Sequence, residues 1–262
     1  MKKVILTAVS AGLAVMGGAS GALADEHEVE SPPMRAVETW TCSLREGKSM
    51  DDLEKANNAW LKWMDDWGQE DYYAAMVTPF FFGERSFDVG WIGVFRDGKA
   101  FGIGNDKWVN DSGDLGEMFA EVITCDSHTG WVSMNLLSSS PDESDDDESD
   151  NTFVLSFSNC SMKDGHTFNE YLAAIKEWEA YANEHGITDR AWVWFPIVGE
   201  KNNDYGFKVV SAQDDYTAMG ENWQKYMDGH WQKSSELFDD LVDCDIARTY
   251  SATTLRRWKE ED

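Results

Sequence analysis

The residue type in this chain best suited to forming a binding site is tryptophan. It occurs 13 times in 262 residues, beside 13 phenylalanines and 8 tyrosines. Trp91, Trp192 and Trp194 fall on predicted strands. Rings that line a cavity bind flat apolar molecules, sugars or haem. The alternative is that each ring fills the core of a small domain, which has little room for one. As a group, the rings predict a pocket lined at least partly by aromatic side chains.

The titratable residues form no recognisable catalytic set. The 5 histidines and 49 acidic residues are dispersed along the chain, and no Ser/His/Asp order stands out. The sequence holds no CxxC and no paired-histidine spacing, so we predict no metal site. The acidic segment 138–151 lacks the glycine and terminal glutamate of a calcium loop.

The four cysteines belong to a segment that occurs twice. The pattern Cys-Ser-x-x-x-Gly-x-Ser/Thr begins at Cys42 and again at Cys160, a spacing of 118 residues, which is the difference between those positions. After a one-residue insertion, Cys125 matches Cys244. The chain is therefore predicted to be a duplicated domain. Each copy holds one cysteine near its start and one near its end, which predicts two disulfides, Cys42–Cys125 and Cys160–Cys244.

Each copy shows the element order β-α-β-β-α-β. Ser49 and Thr167 start the first helix of their copies as capping boxes, and two apolar runs follow as a hairpin. Pro79 and Pro196 lie in the first strand of these hairpins, which predicts that the strand is a sheet edge. The predicted fold class is α+β, with two tandem ferredoxin-like (βαββαβ) repeats packed as a pseudo-dimeric α/β barrel.

The chain divides into five predicted segments. Residues 1–24 resemble a secretory signal peptide, with Lys2 and Lys3 before an apolar run and Ala22-Leu23-Ala24 at its end. That run is shorter than the ~20 residues that span a membrane. The other four segments are a flexible lead-in (25–36), the first repeat (37–137), an acidic linker (138–151) and the second repeat (152–262). We expect a periplasmic or secreted protein.

The formal net charge of −27 excludes some partner classes. So acidic a surface repels nucleic acid and anionic lipid. It suits either a cationic partner or simply solvation in a salty exterior.

The duplicated β-α-β-β-α-β pattern resembles the dimeric α/β-barrel superfamily, which includes antibiotic-biosynthesis-type monooxygenases, stress-responsive barrel proteins and haem-binding enzymes such as chlorite dismutases. The resemblance implies two ferredoxin-like sheets packed face to face, here fused in one chain as an intramolecular pseudo-dimer. It is one of topology, and no catalytic motif is shared. A haem-binding member would need an axial ligand, for which His230 is the candidate, with a surface histidine as the alternative.

Three functions follow as hypotheses. The first is an exported protein that binds a small, mostly apolar or aromatic ligand through Trp91, Trp192, Trp194 and His230. The second is a cofactor-independent or haem-dependent oxygenase of the barrel type. The third is a structural or interaction module of the cell envelope. Whether the protein is an enzyme, and its oligomeric state, are left open.

Overall fold

The structure is a computed structural model that describes residues 34–137, 151–188, 190–200 and 204–258. The predicted signal peptide, most of the lead-in and nearly all of the acidic linker lie outside these residues. The described residues form one compact unit. Within the described ranges, no helix has the length and apolarity needed to cross a bilayer.

The first half of the unit contains four strands and three helices. They are β1 (Met34–Leu44), α1 (Met50–Trp67), β2 (Tyr72–Phe81), β3 (Val89–Phe95), α2 (Gly98–Asp111), α3 (Gly113–Val122) and β4 (Ile123–Leu137). The second half follows a similar order. It contains β5 (Thr152–Met162), α4 (Phe168–Glu184), β6 (Arg190–Val198), β7 (Phe207–Gln213), α5 (Tyr216–Lys225), a π-helical turn (Tyr226–His230), α6 (Trp231–Phe238), β8 (Val242–Cys244) and β9 (Arg248–Arg256).

The strands form a closed antiparallel barrel. Their order is β7-β6-β4-β1-β3-β2-β9-β5, and pairing of β5 with β7 closes the circle, while the short β8 pairs with β5 beside β9. The first half contributes the order β4-β1-β3-β2, and the second half contributes β9-β5-β7-β6. The barrel is thus an α+β fold of eight strands with helices outside it.

Two seams join the halves, and they correct the prediction for the proline strands. β2 pairs with β9 and β6 pairs with β4, so neither proline strand is a free edge. Pro79 and Pro196 instead sit beside register shifts, Pro79 opposite Tyr250 and Pro196 opposite Trp131. An irregular ladder tolerates a residue without an N–H, which explains why a paired strand can carry proline.

The repeated cysteine segment forms a strand end, a tight turn and a helix start. Gly47 and Gly165 hold the turn with φ of 76° and 85°, a conformation that favours glycine. The helix then begins with a capping box. The Thr167 N–H donates to Glu170 Oε2 at 2.6 Å, and the Ser49 N–H donates to Asp52 Oδ2 at 3.1 Å.

Both predicted cysteine pairs are confirmed. Cys42–Cys125 has an S–S distance of 2.05 Å and Cys160–Cys244 one of 2.03 Å. Each pair lies directly across a strand pair, β1 with β4 and β5 with β8. Each disulfide therefore links the first strand of its half to the start of that half's final strand region.

The barrel interior is a closed apolar core supplied by both halves. Its buried members are Val37, Val77, Ile92, Trp131, Leu155, Trp194, Val210, Ala212 and Ala252. Because successive residues of a strand face opposite sides, the other face of each sheet points to the helices.

One lysine lies among the aromatic rings that pack with this core. The ammonium of Lys208 is 5.2 Å from the Trp131 ring and 4.3 Å from the Tyr205 ring, and it donates to Asn159 Oδ1 at 2.6 Å. These contacts favour the charged form, whereas burial disfavours it. Burial dominates and lowers the Lys208 pKa from 10.5 to about 8.

This shift predicts a pH dependence of stability. Between pH 8 and 10 the unfolded chain keeps its proton on Lys208 while the folded chain loses it, so the free energy of unfolding rises with pH. We expect the free energy of unfolding of the wild type, relative to that of Lys208→Met, to increase by about 2 kcal/mol from pH 8 to pH 10. Urea titrations of both proteins at the two pH values measure it. Parallel pH profiles would contradict the assignment, since tyrosine ionisation affects both proteins alike.

Candidate functional site

A cavity of about 470 Å³ lies in the first half, between the outer face of the sheet and helices α1 to α3. Strands supply its floor and helices supply its roof. Nine of its lining residues are aromatic: Trp40, Trp60, Trp63, Trp67, Tyr72, Trp91, Phe95, Trp108 and Phe119. Six of the chain's 13 tryptophans therefore meet around one space.

The floor follows from strand alternation. Val37 on β1 points into the barrel core, so its neighbours Glu38, Trp40 and Cys42 on alternate positions face the helices. Trp91 on β3 lies on the same outer face and meets Trp60 edge-to-face, with ring centroids 4.7 Å apart.

The roof follows from helical spacing. Trp60, Trp63, Met64 and Trp67 recur at three- and four-residue intervals on α1, which places them on one stripe. Helix α2 approaches closely at Gly104, where a Cβ would come within 2.6 Å of the Phe95 ring. Glycine at this position lets α2 bring its own side chains over the cavity.

A chain of polar groups runs along the floor. Trp91 Nε1 donates to Tyr72 Oη at 3.1 Å, and Tyr72 Oη donates to Glu38 Oε1 at 2.8 Å. Glu38 Oε2 lies 3.0 Å from His128 Nε2, and the His128 ring stacks on Trp40 with centroids 3.5 Å apart. This series of contacts thus joins four strands of the first half.

Burial controls the chemistry of these linked polar side chains. Glu38 is only 8% exposed, although a glutamate is rarely buried unless it is paired. Complete burial and the adjacent Glu38 charge raise the pKa of Tyr72 well above its ordinary value, so Tyr72 stays a hydrogen-bond donor. A side chain at Gly93 would collide with the Tyr72 hydroxyl and crowd Glu38, so glycine is required there. The floor therefore offers a buried carboxylate that accepts a hydrogen bond from Tyr72.

In the second half, the layer between sheet and helices contains a cluster of apolar side chains. Between its sheet and α4 and α6, packed rings and aliphatic chains form one cluster, including Tyr171, Ile175, Phe168, Phe195, Phe207 and Phe238. At a spacing of 118 residues, Ser156 and Ser158 stand where the first half has Glu38 and Trp40. The polar chain therefore has no equivalent on that strand.

The structure separates the predicted site residues. Trp91 lines the cavity. Trp194 is buried in the barrel core, with Trp192 packed against it from the same face of β6. His230 lies on the π-helical turn, where its Nδ1 is 2.7 Å from Tyr181 Oη. The first half thus holds one of the four, and the role predicted for the other three stays a prediction.

Sequence analysis missed Glu38, Tyr72 and the tryptophans of α1. One available signal was Glu38 itself, which shares a strand face with Trp40 and Cys42, since a charge on a buried face needs a partner. The spacing of Trp60, Trp63 and Trp67 along one helical stripe was another signal.

The donor set of the cavity does not fit haem. None of its lining residues is a histidine, and its cysteines are bonded to each other. Tyr72 Oη is already held by Glu38 and Trp91. Arg45 is the one cationic side chain in the lining, whereas Glu38 would face an anionic porphyrin edge. The prediction that His230 could serve a haem elsewhere is not tested by this cavity.

No family model matches the sequence, and no curated protein does so either. Solved structures share the fold. A proposed chlorite dismutase is 11% identical, with 84% of this chain and 94% of that chain covered and a TM-score of 0.52. A proposed monooxygenase from Lactobacillus acidophilus NCFM is 11% identical, with coverage of 86% and 95% and a TM-score of 0.52. A mutant chlorite dismutase from Candidatus Nitrospira defluvii is 10% identical, with coverage of 86% and 93% and a TM-score of 0.50. The likeness confirms the dimeric α/β-barrel fold and nothing finer.

Proposed function

We propose that this chain binds a small, largely apolar organic ligand in the tryptophan-lined cavity of its first half. The observation that carries the proposal is the cavity of about 470 Å³, which is lined by nine aromatic side chains and whose floor holds one buried carboxylate. Ligand sites typically have volumes of ~300–1,000 Å³ and combine apolar walls with a few placed polar groups.

The contrast between the halves supports binding over simple core packing. In the first half a buried carboxylate, held by Tyr72 and His128, lies on the floor of the cavity. At the equivalent strand positions the second half has Ser156 and Ser158. Burying a carboxylate costs more free energy than burying a hydroxyl, so its presence beside the cavity favours a role in binding.

The proposal includes export and a tandem architecture. Residues 1–24 resemble a signal peptide, and disulfides persist in oxidising compartments, so we place the protein in the periplasm or outside the cell. We interpret the two halves as tandem ferredoxin-like repeats. The matching strand orders β4-β1-β3-β2 and β9-β5-β7-β6 support this interpretation.

A dye-binding experiment tests the ligand site. N-phenyl-1-naphthylamine, a neutral dye that fluoresces in apolar surroundings, should bind the wild type. Trp108→Leu removes one wall of the cavity and should weaken binding about tenfold, the equivalent of ~1.4 kcal/mol. Trp223→Leu is the matched control, because Trp223 is 55% exposed and lies on α5 of the other half. An equal loss of dye affinity in both variants, or no dye binding by the wild type, would contradict the proposal.

A second candidate function is cofactor-independent oxygenation of a bound aromatic molecule. Glu38 favours it, because a buried carboxylate next to His128 could accept a proton from a phenol or carbon acid that then reacts with dioxygen. One solved structure of the same fold is named as a proposed monooxygenase. Oxygen uptake that needs both an aromatic substrate and Glu38 would favour this candidate over binding alone.

A further inference from the structure

We infer that the cavity selects an organic cation, a ligand that carries an alkylated or quaternary ammonium group. This inference rests on the proposed function, since it names the chemical class of the ligand that would occupy the same cavity. It follows from the juxtaposition of tryptophan faces with a buried carboxylate that has no lysine or arginine bonded to it among the described residues.

The cavity is lined by six tryptophans, the side chain that binds cations best among the aromatic residues. Trp60 meets Trp91 with an interplanar angle of 88°, and Trp63 meets Trp108 with the same angle. The rings that line the cavity therefore do not share one orientation. A cation within about 6 Å of an aromatic ring face is attracted by the ring quadrupole, and tryptophan gives the strongest effect. A neutral ligand of the same shape gains only the apolar contact.

The chain already places one of its own cations on these rings. The Lys107 ammonium lies 6.0 Å from the Trp63 centroid and 5.9 Å from the Trp67 centroid, while it pairs with Asp111 at 2.6 Å. Both tryptophans line the cavity. Their rings thus engage an ammonium group in the folded protein. The Lys107 charge also opposes a cationic ligand, but its ion pair with Asp111 offsets that charge.

The floor adds a negative charge in surroundings that strengthen it. The described partners of Glu38 are Tyr72, a neutral donor, and His128, which carries charge only when protonated. In buried surroundings of low dielectric constant, the attraction between this carboxylate and an entering ammonium group exceeds its value in water. The formal net charge of −27 draws cations toward the protein as a whole.

Arg45 opposes this charge but stands at a different depth. It is exposed, and its Nε donates to the Ile123 carbonyl at 3.3 Å. Water and salt screen an exposed charge far more than a buried one. Repulsion of a cationic ligand by Arg45 is therefore weaker than its attraction by Glu38. An anionic ligand would be repelled by Glu38 more strongly than it is attracted by Arg45.

A set of ligands of one shape tests the inference by calorimetry. Benzyltrimethylammonium, its uncharged carbon isostere neopentylbenzene, and anionic benzylsulfonate differ mainly in charge. We expect wild type to bind the cation at least tenfold more tightly than the neutral isostere and to bind the anion least. Added salt should weaken cation binding and leave the isostere unaffected.

Two charge-matched variants complete the test. Glu38→Gln keeps the side-chain size and an acceptor for Tyr72, and should weaken cation binding at least tenfold with little effect on the isostere. Glu54→Gln removes the same charge from the exposed face of α1 and should change neither.

The outcomes separate the inference from the proposed function. Equal affinity of wild type for the cation and its isostere would overturn the inference, and weaker binding of both in Trp108→Leu would show that the cavity still binds ligands. This comparison uses wild type, so it does not depend on the folding of Glu38→Gln. Failure of every ligand, including the neutral dye, would overturn the proposed function and the inference together.

Discussion

Replacing Cys160 and Cys244 together by alanine should lower the free energy of unfolding by about 4.5 kcal/mol. The disulfide closes a loop with a sequence separation of 84 residues, and the chain-entropy relation gives about this value for a loop of that length. Denaturant titration of the variant and the wild type measures the difference. A loss below about 1 kcal/mol would show that the bond constrains the unfolded chain far less than its loop length implies.

The other disulfide is a matched comparison. Cys42–Cys125 closes a separation of 83 residues, so its removal should cost nearly the same stability. Cys42 and Cys125 line the cavity, however, whereas the second-half pair does not. The Cys42→Ala/Cys125→Ala variant should therefore also bind the neutral dye more weakly, and the Cys160→Ala/Cys244→Ala variant should bind it as wild type does while both remain folded. Identical dye binding in the two variants would contradict this assignment.

Replacing Tyr72 by phenylalanine should lower the free energy of unfolding by about 3 kcal/mol, because the hydroxyl joins a buried carboxylate to a partly buried indole. Its loss leaves Glu38 Oε1 and Trp91 Nε1 without that partner. Denaturant titration again measures the change, with circular dichroism to confirm the native fold.

The neighbouring residue supplies the control for this prediction. Tyr73 Oη shares one hydrogen bond of 3.1 Å with Thr254 Oγ1, between two neutral groups. Tyr73→Phe should cost about 1 kcal/mol, the net value of an ordinary hydrogen bond. If Tyr72→Phe and Tyr73→Phe lower the free energy of unfolding equally, the hydrogen bonds of Tyr72 with Glu38 and Trp91 contribute no more than an ordinary hydrogen bond.

Much of the fold could be predicted from sequence because the duplication supplied long-range information. A repeat at a fixed spacing assigned each cysteine a partner, and one strand order then brought both pairs together. The prolines predicted sheet edges, and this prediction was wrong. Nothing local in Pro79 or Pro196 indicates that the other half supplies a neighbouring strand at that edge.

The site was predicted less well because both faces of each sheet are buried. One face packs in the barrel interior and the other packs against helices, so a tryptophan on either face has the same local pattern. Trp91 and Trp194 both occupy apolar strands, yet the first lines a cavity and the second fills the core. Only the three-dimensional packing distinguishes a tryptophan that lines the cavity from one that fills the core.

The seam between β2 and β9 also determines how late the barrel can close while the protein folds. Thr78 on β2 donates to the Ser251 carbonyl, a partner 173 residues further along the chain. Until almost the whole polypeptide is available, β2 remains an open template beside Phe80 and Phe81, and such edges recruit other chains. The cysteines of each half, by contrast, are paired within that half. Oxidation of the first pair can therefore proceed before the second half exists, which leaves the late seam as the step most exposed to aggregation.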